Sequence, residues 1–217
     1  MNTELARFNM IEQQIRTWEV LDKSVLELLA VVKREDFVPR EYRAMAFVDT
    51  EVPLPCGQSM LAPKVEARLL QELGVQRHER VLEVGAGSGH MAALLAHRAQ
   101  HVTTLELRPE LARLASENLR RAWIMNATVL EADASRTVPD DGPYDVIVLS
   151  GSVAEVPRTL LAQLKPGGRL TAIVGQPPVM RAVLLTRSGD PGFSTIELFD
   201  TVAPRLDGFG EPSRFVF

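Results

Sequence analysis

The sequence predicts a doubly wound α/β fold: a mostly parallel sheet with helices on both faces, an antiparallel C-terminal hairpin and an N-terminal helical cover. Three observations support this prediction. Apolar runs typical of buried strands alternate with helical periodicity from residue 63 onward. The buried run 80–84 stops at a glycine cluster. Two last strand-like stretches, 180–187 and 194–199, flank Ser-Gly-Asp-Pro-Gly, which is a hairpin signal.

The length and composition of the chain fit one enzyme-sized domain. With 217 residues, of which 46% are hydrophobic, the chain can bury about 70% of its unfolded surface around one core. We therefore expect a single domain over residues 1–217, in which 1–63 supplies N-terminal helices and a covering loop and 64–217 forms a ligand-binding core. The sequence leaves the oligomeric state open.

Charge and hydropathy argue against two classes of partner. The chain has a net charge of −4, whereas nucleic-acid-binding proteins typically have an excess of basic residues. No stretch reaches the roughly 18 apolar residues of a membrane span, and the N-terminal residues carry no apolar signal-peptide core. The sequence predicts a cytoplasmic protein that contacts neither nucleic acid nor membrane.

Cysteine and histidine usage argues against a metal centre. The single cysteine, Cys56, excludes an internal disulfide and a multi-cysteine zinc site, and we expect it to be a small packing residue. The four histidines lack the spacing of a metal motif and are expected at the surface or in turns: His78, His90, His97 and His101. The sequence therefore predicts no metal site.

The first 63 residues predict two amphipathic helices followed by a long loop. Apolar residues recur at helical spacing over 4–17 and 22–33, and Asp22 is a plausible N-cap of the second helix. Residues 34–63 contain four prolines and one glycine and predict an extended loop. Because long loops in compact domains are usually functional, we favour a role in a site over simple packing on the sheet.

A glycine-rich turn follows the central strand. Gly85, Gly87 and Gly89 occupy every second position after Glu83, and a helical stretch begins at 91. Glycines permit positive φ and close approach of a ligand to the backbone. The pattern is E-x-G-x-G-x-G rather than the dinucleotide fingerprint G-x-G-x-x-G. This form is typical of S-adenosylmethionine-dependent methyltransferases, with a turn that binds nothing and a nicotinamide or flavin site as the alternatives.

The remaining elements alternate between helix and strand. Gly74 can end the helix before the central strand in a left-handed cap. In order, the sequence predicts a helix over 65–73, a strand over 80–84, a helix to about 98, a strand over 101–106, a helix over 109–122, strands over 128–131 and 144–149, a helix over 155–164 and a strand over 169–174.

Polar residues at the carboxyl ends of these strands form the candidate cofactor site, because ligands of doubly wound sheets bind there. Glu106 ends the second strand and could bind both ribose hydroxyls, while Asp133 follows the third and could accept from the adenine amine. The fourth strand ends without the Asn-Pro-Pro-Tyr motif of base-modifying enzymes, so that role is disfavoured. The full candidate set is Glu83, Gly85, Ala86, Gly87, Ser88, Gly89, Glu106, Leu107, Asp133, Ala134 and Ser150.

Over roughly residues 20 to 210 the chain also resembles one family. The specific matches are Arg34-Glu-Asp-Phe-Val-Pro39 with Tyr42, Ala46 and Asp49, then Pro53-Leu-Pro-Cys-Gly57-Gln58 and Pro63, Val81 to Gly89, Glu155-Val-Pro157, Leu164, Gly167-Gly168, and Pro204 with Gly208. These residues are similar to landmarks of the protein-L-isoaspartate O-methyltransferases. The resemblance implies a Rossmann-like methyltransferase sheet and transfer of a methyl group from S-adenosylmethionine to an isoaspartyl carboxylate of a damaged protein or peptide, leaving S-adenosylhomocysteine.

The resemblance also assigns the acceptor side of the site. It implies that Pro55, Gly57, Gln58 and Pro204 contact the substrate. The family carries Thr-Ile-Ser-x-Pro after Gly-Gln, with the serine at the reaction centre, whereas this chain has Ser59-Met-Leu61-Ala-Pro63. Leu61 therefore replaces the family serine. Ser59 replaces the threonine and lies one side-chain period away, about 6 to 7 Å along an extended segment.

Three hypotheses follow. The chain is a methyltransferase of this family acting on an isoaspartyl or another carboxylate, a divergent methyltransferase with an unknown small acceptor, or a non-enzymatic cofactor-binding or interaction protein. The apolar Leu61 and the C-terminal Phe-Val-Phe at 215–217 are the only features that favour the last. Methylation of an isoaspartyl peptide separates the first hypothesis from the others, and calorimetry with S-adenosylmethionine separates the second from a protein that binds nothing.

Overall fold

The structure is a computed structural model that describes residues 2–189 and 192–211. Its α-helices are α1 (Thr3–Asn9), α2 (Lys23–Val31), α3 (Pro63–Leu73), α4 (His90–Ala96), α5 (Pro109–Arg121) and α6 (Arg158–Leu161). Its strands are β1 (Val52–Pro53), β2 (Ser59–Met60), β3 (Arg80–Val84), β4 (His101–Glu106), β5 (Ala127–Glu131), β6 (Tyr144–Val153), β7 (Leu164–Gln176), β8 (Val179–Arg187) and β9 (Phe193–Asp200).

Seven of these strands form the main sheet, in the order β5-β4-β3-β6-β7-β8-β9. The five strands from β5 to β7 pair in parallel, and β8 and β9 add antiparallel. The chain winds outward from β3 through β4 to β5, then returns to β6 and winds the other way. The order of the strands therefore reverses between β3 and β6, and ligands of such sheets bind beyond the carboxyl ends of strands at that point.

The central strand is buried on both faces, as its continuous apolar run predicts. Val81 packs in the layer that contains α3 and α4, while Leu82 packs on the opposite face with Leu160 and Leu170. Helix α3 ends at Gly74, whose φ of 53° is the predicted left-handed cap. These contacts fix the end of β3, from which the glycine turn begins.

The predicted architecture is confirmed: a Rossmann-like sheet with helices on both faces, antiparallel C-terminal strands and an N-terminal helix. Residues 34–62 contain no α-helix or long strand, as their proline content predicted, but they are not wholly extended. Besides the two-residue ladder of β1 and β2 they contain three 3-10 segments, the longest of which is Arg40–Phe47. The predicted hairpin turn at 188–192 falls partly outside the described residues, and the Phe-Val-Phe stretch falls entirely outside them.

One predicted helix near the N-terminus is wrong in extent. In place of a helix over 4–17, α1 ends at Asn9 and the chain continues as a π-helical and then a 3-10 segment to Trp18. Leu5 and Phe8 of the predicted apolar stripe are more than half exposed, because only the later part of this segment faces the core. The second helix is capped by Asp22 as predicted, its carboxylate accepting from the amide of Ser24 at 2.8 Å.

The other errors lie in the C-terminal half. The helix predicted over 155–164 shrinks to α6, which begins only after Pro157, and β7 already starts at Leu164. The fourth strand was predicted to end at 149 but β6 continues to Val153. The extension has a tertiary cause, because the backbone of Ser152 pairs with a later segment: its amide donates to the Pro204 carbonyl at 2.7 Å and its carbonyl accepts from Leu206 at 2.9 Å.

Candidate functional site

A cleft lies beyond the carboxyl ends of β3, β4 and β6. This is where doubly wound sheets bind their ligands. Nine of the predicted site residues line it: Gln58, Ser59, Gly85, Gly87, Glu106, Leu107, Asp133, Ala134 and Ser150. The fold therefore brings together residues from the long loop, the glycine turn and the ends of three strands.

The glycine turn takes the conformation that its composition predicted. Gly85, Gly87 and Gly89 have φ values of 92°, 52° and 82°. A Cβ at Gly85 would lie 2.8 Å from a methyl carbon of Leu206, and one at Gly89 would lie 3.1 Å from the backbone of Ala115. Gly89 thus serves helix packing, whereas the absence of a side chain at Gly85 leaves room for Leu206 at the cleft wall.

Glu106 ends β4 and holds the glycine turn. Its Oε2 accepts from the amide of Gly87 at 2.9 Å and its Oε1 accepts from the amide of Arg108 at 3.1 Å. The carboxylate lines the cleft although its residue is only 5% exposed. Each carboxylate oxygen accepts more than one hydrogen bond, so this group can bind two ribose hydroxyls while it fixes the turn.

Asp133 lies on the same wall, where β5 has ended. Its Oδ1 accepts from the amide of Ser135 at 3.0 Å and from the Ser135 hydroxyl at 2.6 Å, and Arg136 lies 3.2 Å from Oδ2. The Ser135 hydroxyl contributes most to lowering the pKa of Asp133, so the carboxylate stays ionised. It can accept a hydrogen bond from an exocyclic amine in the cleft.

Glu83 is the third acidic group, and it is fully buried. The hydroxyls of Ser150 and Thr104 donate to its two oxygens at 2.6 Å and 2.7 Å. Burial nevertheless dominates and raises the pKa of Glu83 to about 8. Glu83 therefore carries a proton near pH 7 unless a cation binds beside it.

Two segments, which we call the roof, cover the cleft: residues 53–63 and 204–209. Leu54 and Leu206 line the cleft from these two segments. The amide of Gln58 lies 3.4 Å from a carboxylate oxygen of Asp207, which also forms an ion pair with Arg108. Of the second roof segment, the sequence predicted only Pro204 as a site residue and matched Gly208 as a family landmark, because nothing local in residues 204–209 indicates where they lie.

A small inner cavity adjoins the cleft beside the acceptor segment, residues 59–61. The Ser59 hydroxyl donates to Glu51 at 3.3 Å, and burial raises the pKa of Glu51. Leu61 is 4% exposed and lines the inner cavity. Three other predicted residues line this cavity and not the cleft, namely Glu83, Ala86 and Ser88, and four line both, namely Ser59, Gly85, Gly87 and Ser150.

Three predicted substrate residues do not line the cleft. Pro55 and Gly57 lie on the outer side of the roof, and a Cβ at Gly57 would meet no atom within 4 Å. The carbonyl of Pro204 is occupied by the amide of Ser152. Of the four predicted substrate residues, Gln58 alone is among the residues that line the cleft in the described part of the chain.

Two further expectations are wrong. His90 is 2% exposed, and its Nδ1 lies 2.9 Å from Glu66 beneath the acceptor segment, whereas it was expected at the surface or in a turn. The burial of His90 could have been predicted from its position directly after Gly89, because the residue after a buried glycine turn starts the helix. Cys56 is exposed at a φ of 59° with its sulfur 3.3 Å from Glu110, so it is no packing residue.

The residues present fit S-adenosylmethionine. Gly85 and Gly87 bring the backbone of the turn to the cleft wall, while Glu106 and Asp133 offer acceptors for ribose hydroxyls and an adenine amine. Glu83 offers a buried carboxyl beside the same turn for an ammonium group. Across residues 2–189 and 192–211, no group of three or more metal-binding side chains converges, and no helix is both long and apolar enough to cross a membrane.

Comparison with known proteins agrees with this geometry. Residues 6–201 match the family model described as protein-L-isoaspartate(D-aspartate) O-methyltransferase. A protein-L-isoaspartate O-methyltransferase of Paracoccus denitrificans is 34% identical over 91% of this chain and 92% of its own length. One from Methanoculleus marisnigri is 39% identical over 78% of this chain and 77% of its own.

Solved structures show the same fold. A Plasmodium falciparum protein-L-isoaspartate O-methyltransferase, solved in complex with S-adenosyl-L-homocysteine, superposes with a TM-score of 0.78 at 21% identity and covers 93% of this chain and 98% of its own. The family model spans most of the sequence, and the relatives align over most of both lengths. The chain belongs to the protein-L-isoaspartate(D-aspartate) O-methyltransferase family.

Proposed function

We propose that this S-adenosylmethionine-dependent methyltransferase esterifies the carboxylate of isoaspartyl residues in damaged proteins or peptides, and that it does so slowly. The single observation that supports the reaction is the cleft itself, in which a glycine turn and strand-end carboxylates meet at the switch point of a family-typical sheet. The single observation that supports the low rate is the burial of Leu61, a residue that the sequence resemblance aligns with the family's reaction-centre serine.

Each part of the cleft has a proposed role. Glu106 binds the ribose hydroxyls, Asp133 accepts from the adenine amine, and Glu83 binds the methionine ammonium. The roof excludes water from the reacting atoms. Bound S-adenosylmethionine supplies an electrophilic methyl group, so the protein has to orient the acceptor and remove its solvent shell.

The acceptor side offers too few hydrogen-bond donors for a carboxylate. A carboxylate is ionised near pH 7 and needs no base, but its charge must be met by hydrogen-bond donors once it is desolvated. Leu61 offers none, and the Ser59 hydroxyl already donates to Glu51. An ionised Glu51 would also repel the acceptor. The missing hydrogen bond should cost about 1 to 3 kcal/mol, or about 10- to 100-fold in kcat/KM.

The test is methylation of an isoaspartyl peptide with labelled S-adenosylmethionine. We expect weak or absent methyl-ester formation by the natural sequence. Leu61→Ser should raise the rate measurably, whereas Leu61→Ala, which opens the same space without a hydroxyl, should not. Robust turnover by the natural sequence would contradict the argument and would show that Ser59 or backbone amides hold the carboxylate.

The second candidate is a divergent methyltransferase with another small acceptor. It is favoured by the same region, because the acceptor segment presents the apolar Leu61, and its Ser59 hydroxyl is bound to the carboxyl of Glu51. An apolar side chain and an acidic group suit an uncharged or cationic acceptor better than a carboxylate. If Leu61→Ser leaves isoaspartyl methylation undetectable while S-adenosylmethionine still binds, this second function is the better one.

A further inference from the structure

A buried ionic cluster, made of Arg34, Glu66 and His90, lies directly beneath the acceptor segment. Each of its members is at most 4% exposed. The guanidinium Nη1 forms an ion pair with Glu66 Oε2, and His90 Nδ1 lies 2.9 Å from the same oxygen. The other terminal nitrogen of Arg34, Nη2, donates to the backbone carbonyl of Leu61 at 2.7 Å. The cluster therefore ends on the segment that is proposed to hold the acceptor.

We propose that Arg34 is a positioning residue: it fixes the acceptor segment through the Leu61 carbonyl, and Glu66 with His90 ties this contact to the glycine turn. The inference rests on the proposed function, since it treats residues 59–61 as the acceptor side. It adds a connection between the cofactor side and the acceptor side of one site.

The geometry of the cluster supports this connection. A guanidinium donates in fixed, planar directions, so one side chain sets the Leu61 carbonyl relative to the Glu66 carboxylate. Glu66 belongs to α3, and His90 is the first residue of α4, directly after Gly89 of the turn. A displacement of the turn is therefore passed through His90 and Glu66 to Arg34 and on to residues 59–61.

The energetics indicate that the cluster does more than stabilise the fold. Arg34 Nε and His90 Nε2 are buried without a hydrogen-bond partner among the described residues. Such atoms cost stability, and buried ion pairs are a weak source of it compared with apolar packing. Burial raises the pKa of Glu66, but the charges of Arg34 and His90 outweigh burial and lower it. The ionised Glu66 keeps the guanidinium oriented toward Leu61.

Arg68 provides a matched control. It lies on α3, the helix that also carries Glu66. Its Nε pairs with Glu72 at 2.7 Å and its Nη1 donates to the Trp18 carbonyl at 3.2 Å. Arg68 thus also joins a carboxylate to a backbone carbonyl, but away from the cleft. Arg34→Lys and Arg68→Lys both keep the charge and remove the planar fork.

The experiment is hydrogen exchange of residues 58–62, with and without S-adenosylhomocysteine. Without ligand, we expect this segment to exchange at least about tenfold faster in Arg34→Lys than in the natural sequence, because the β1–β2 ladder loses the contact between Arg34 and the Leu61 carbonyl. Protection by the ligand should be largely lost there, while calorimetric affinity for S-adenosylhomocysteine stays within about threefold. Arg68→Lys should exchange like the natural sequence in this segment.

Two histidine variants test the connection to the turn. His90→Ala should lose the ligand-induced protection of 58–62, and His90→Asn, whose amide can donate to Glu66, should restore it. The inference would be overturned if residues 58–62 exchanged as slowly in Arg34→Lys as in the natural sequence. It would also be overturned if Arg68→Lys accelerated their exchange as much as Arg34→Lys does. Failure of the natural sequence to bind S-adenosylhomocysteine would count against the proposed function, and the ligand-free comparison would still decide the role of Arg34.

Discussion

Binding of S-adenosylhomocysteine should release a proton from Glu83. Burial raises the pKa of this carboxyl to about 8 in the free protein, so about 0.9 of the molecules carry the proton near pH 7. An ammonium group placed beside the carboxyl favours its charged form and lowers its pKa. We therefore expect release of about 0.9 proton per ligand near pH 7, falling to about 0.1 near pH 9.

The same linkage fixes the direction of the affinity change with pH. Because the ionised carboxyl binds the cation, raising the pH removes the cost of deprotonation, and Kd should fall nearly tenfold between about pH 6 and 7. Above the pKa of Glu83 the dependence should level off. Glu83→Gln removes the titrating group, so both the proton release and the slope should disappear.

Calorimetry in buffers with different heats of ionisation measures the number of protons released. Glu106→Gln is the matched control, because it changes the other carboxylate beside the glycine turn and should weaken binding while leaving proton release intact. A binding heat that does not depend on the buffer, or the same proton release in Glu83→Gln as in the natural sequence, would refute the assignment of Glu83 to the ammonium.

Three further predictions concern the cleft. Glu106→Ala should weaken S-adenosylhomocysteine binding about 10- to 100-fold by calorimetry, because the ribose and the Gly87 amide lose a charged acceptor, whereas Glu131→Ala at the exposed end of β5 should not. Gly87→Val should abolish binding in the same assay, because Gly87 has a φ of 52° and its added side chain would crowd Leu54. Ligand should slow hydrogen exchange of residues 53–63; unchanged exchange there, with protection at the glycine turn, would show that this loop is scaffold only.

The parts of the fold that were predictable are those with local causes. The strand over 80–84 and the helix that starts at Pro109 are found at the predicted bounds, because an apolar run ending in glycine and a proline at a helix start act within a few residues. It was also predictable that the glycine turn, Glu106 and Asp133 would lie at one cleft, because the carboxyl ends of parallel strands meet at one edge of the sheet.

The parts that were missed have tertiary causes. The end of β6 is extended by pairing of Ser152 with a segment about fifty residues later. The Arg34 cluster joins three elements, and only its burial distinguishes Glu66 from an ordinary helical surface residue. The exposure of Leu5 and Phe8 could not be read from periodicity, which gives the direction of an apolar face but not whether a partner covers it.

The two roof segments have a consequence for the folding of the protein. Gln58 and Asp207 meet over the cleft although 149 positions separate them along the chain. All seven strands of the main sheet end by Asp200, so most of the sheet can pair before residues 204–209 pack over the cleft. A chain at that stage has a glycine turn that is covered on one side only. Retention of cofactor should therefore begin only after residues 204–209 have packed against the sheet.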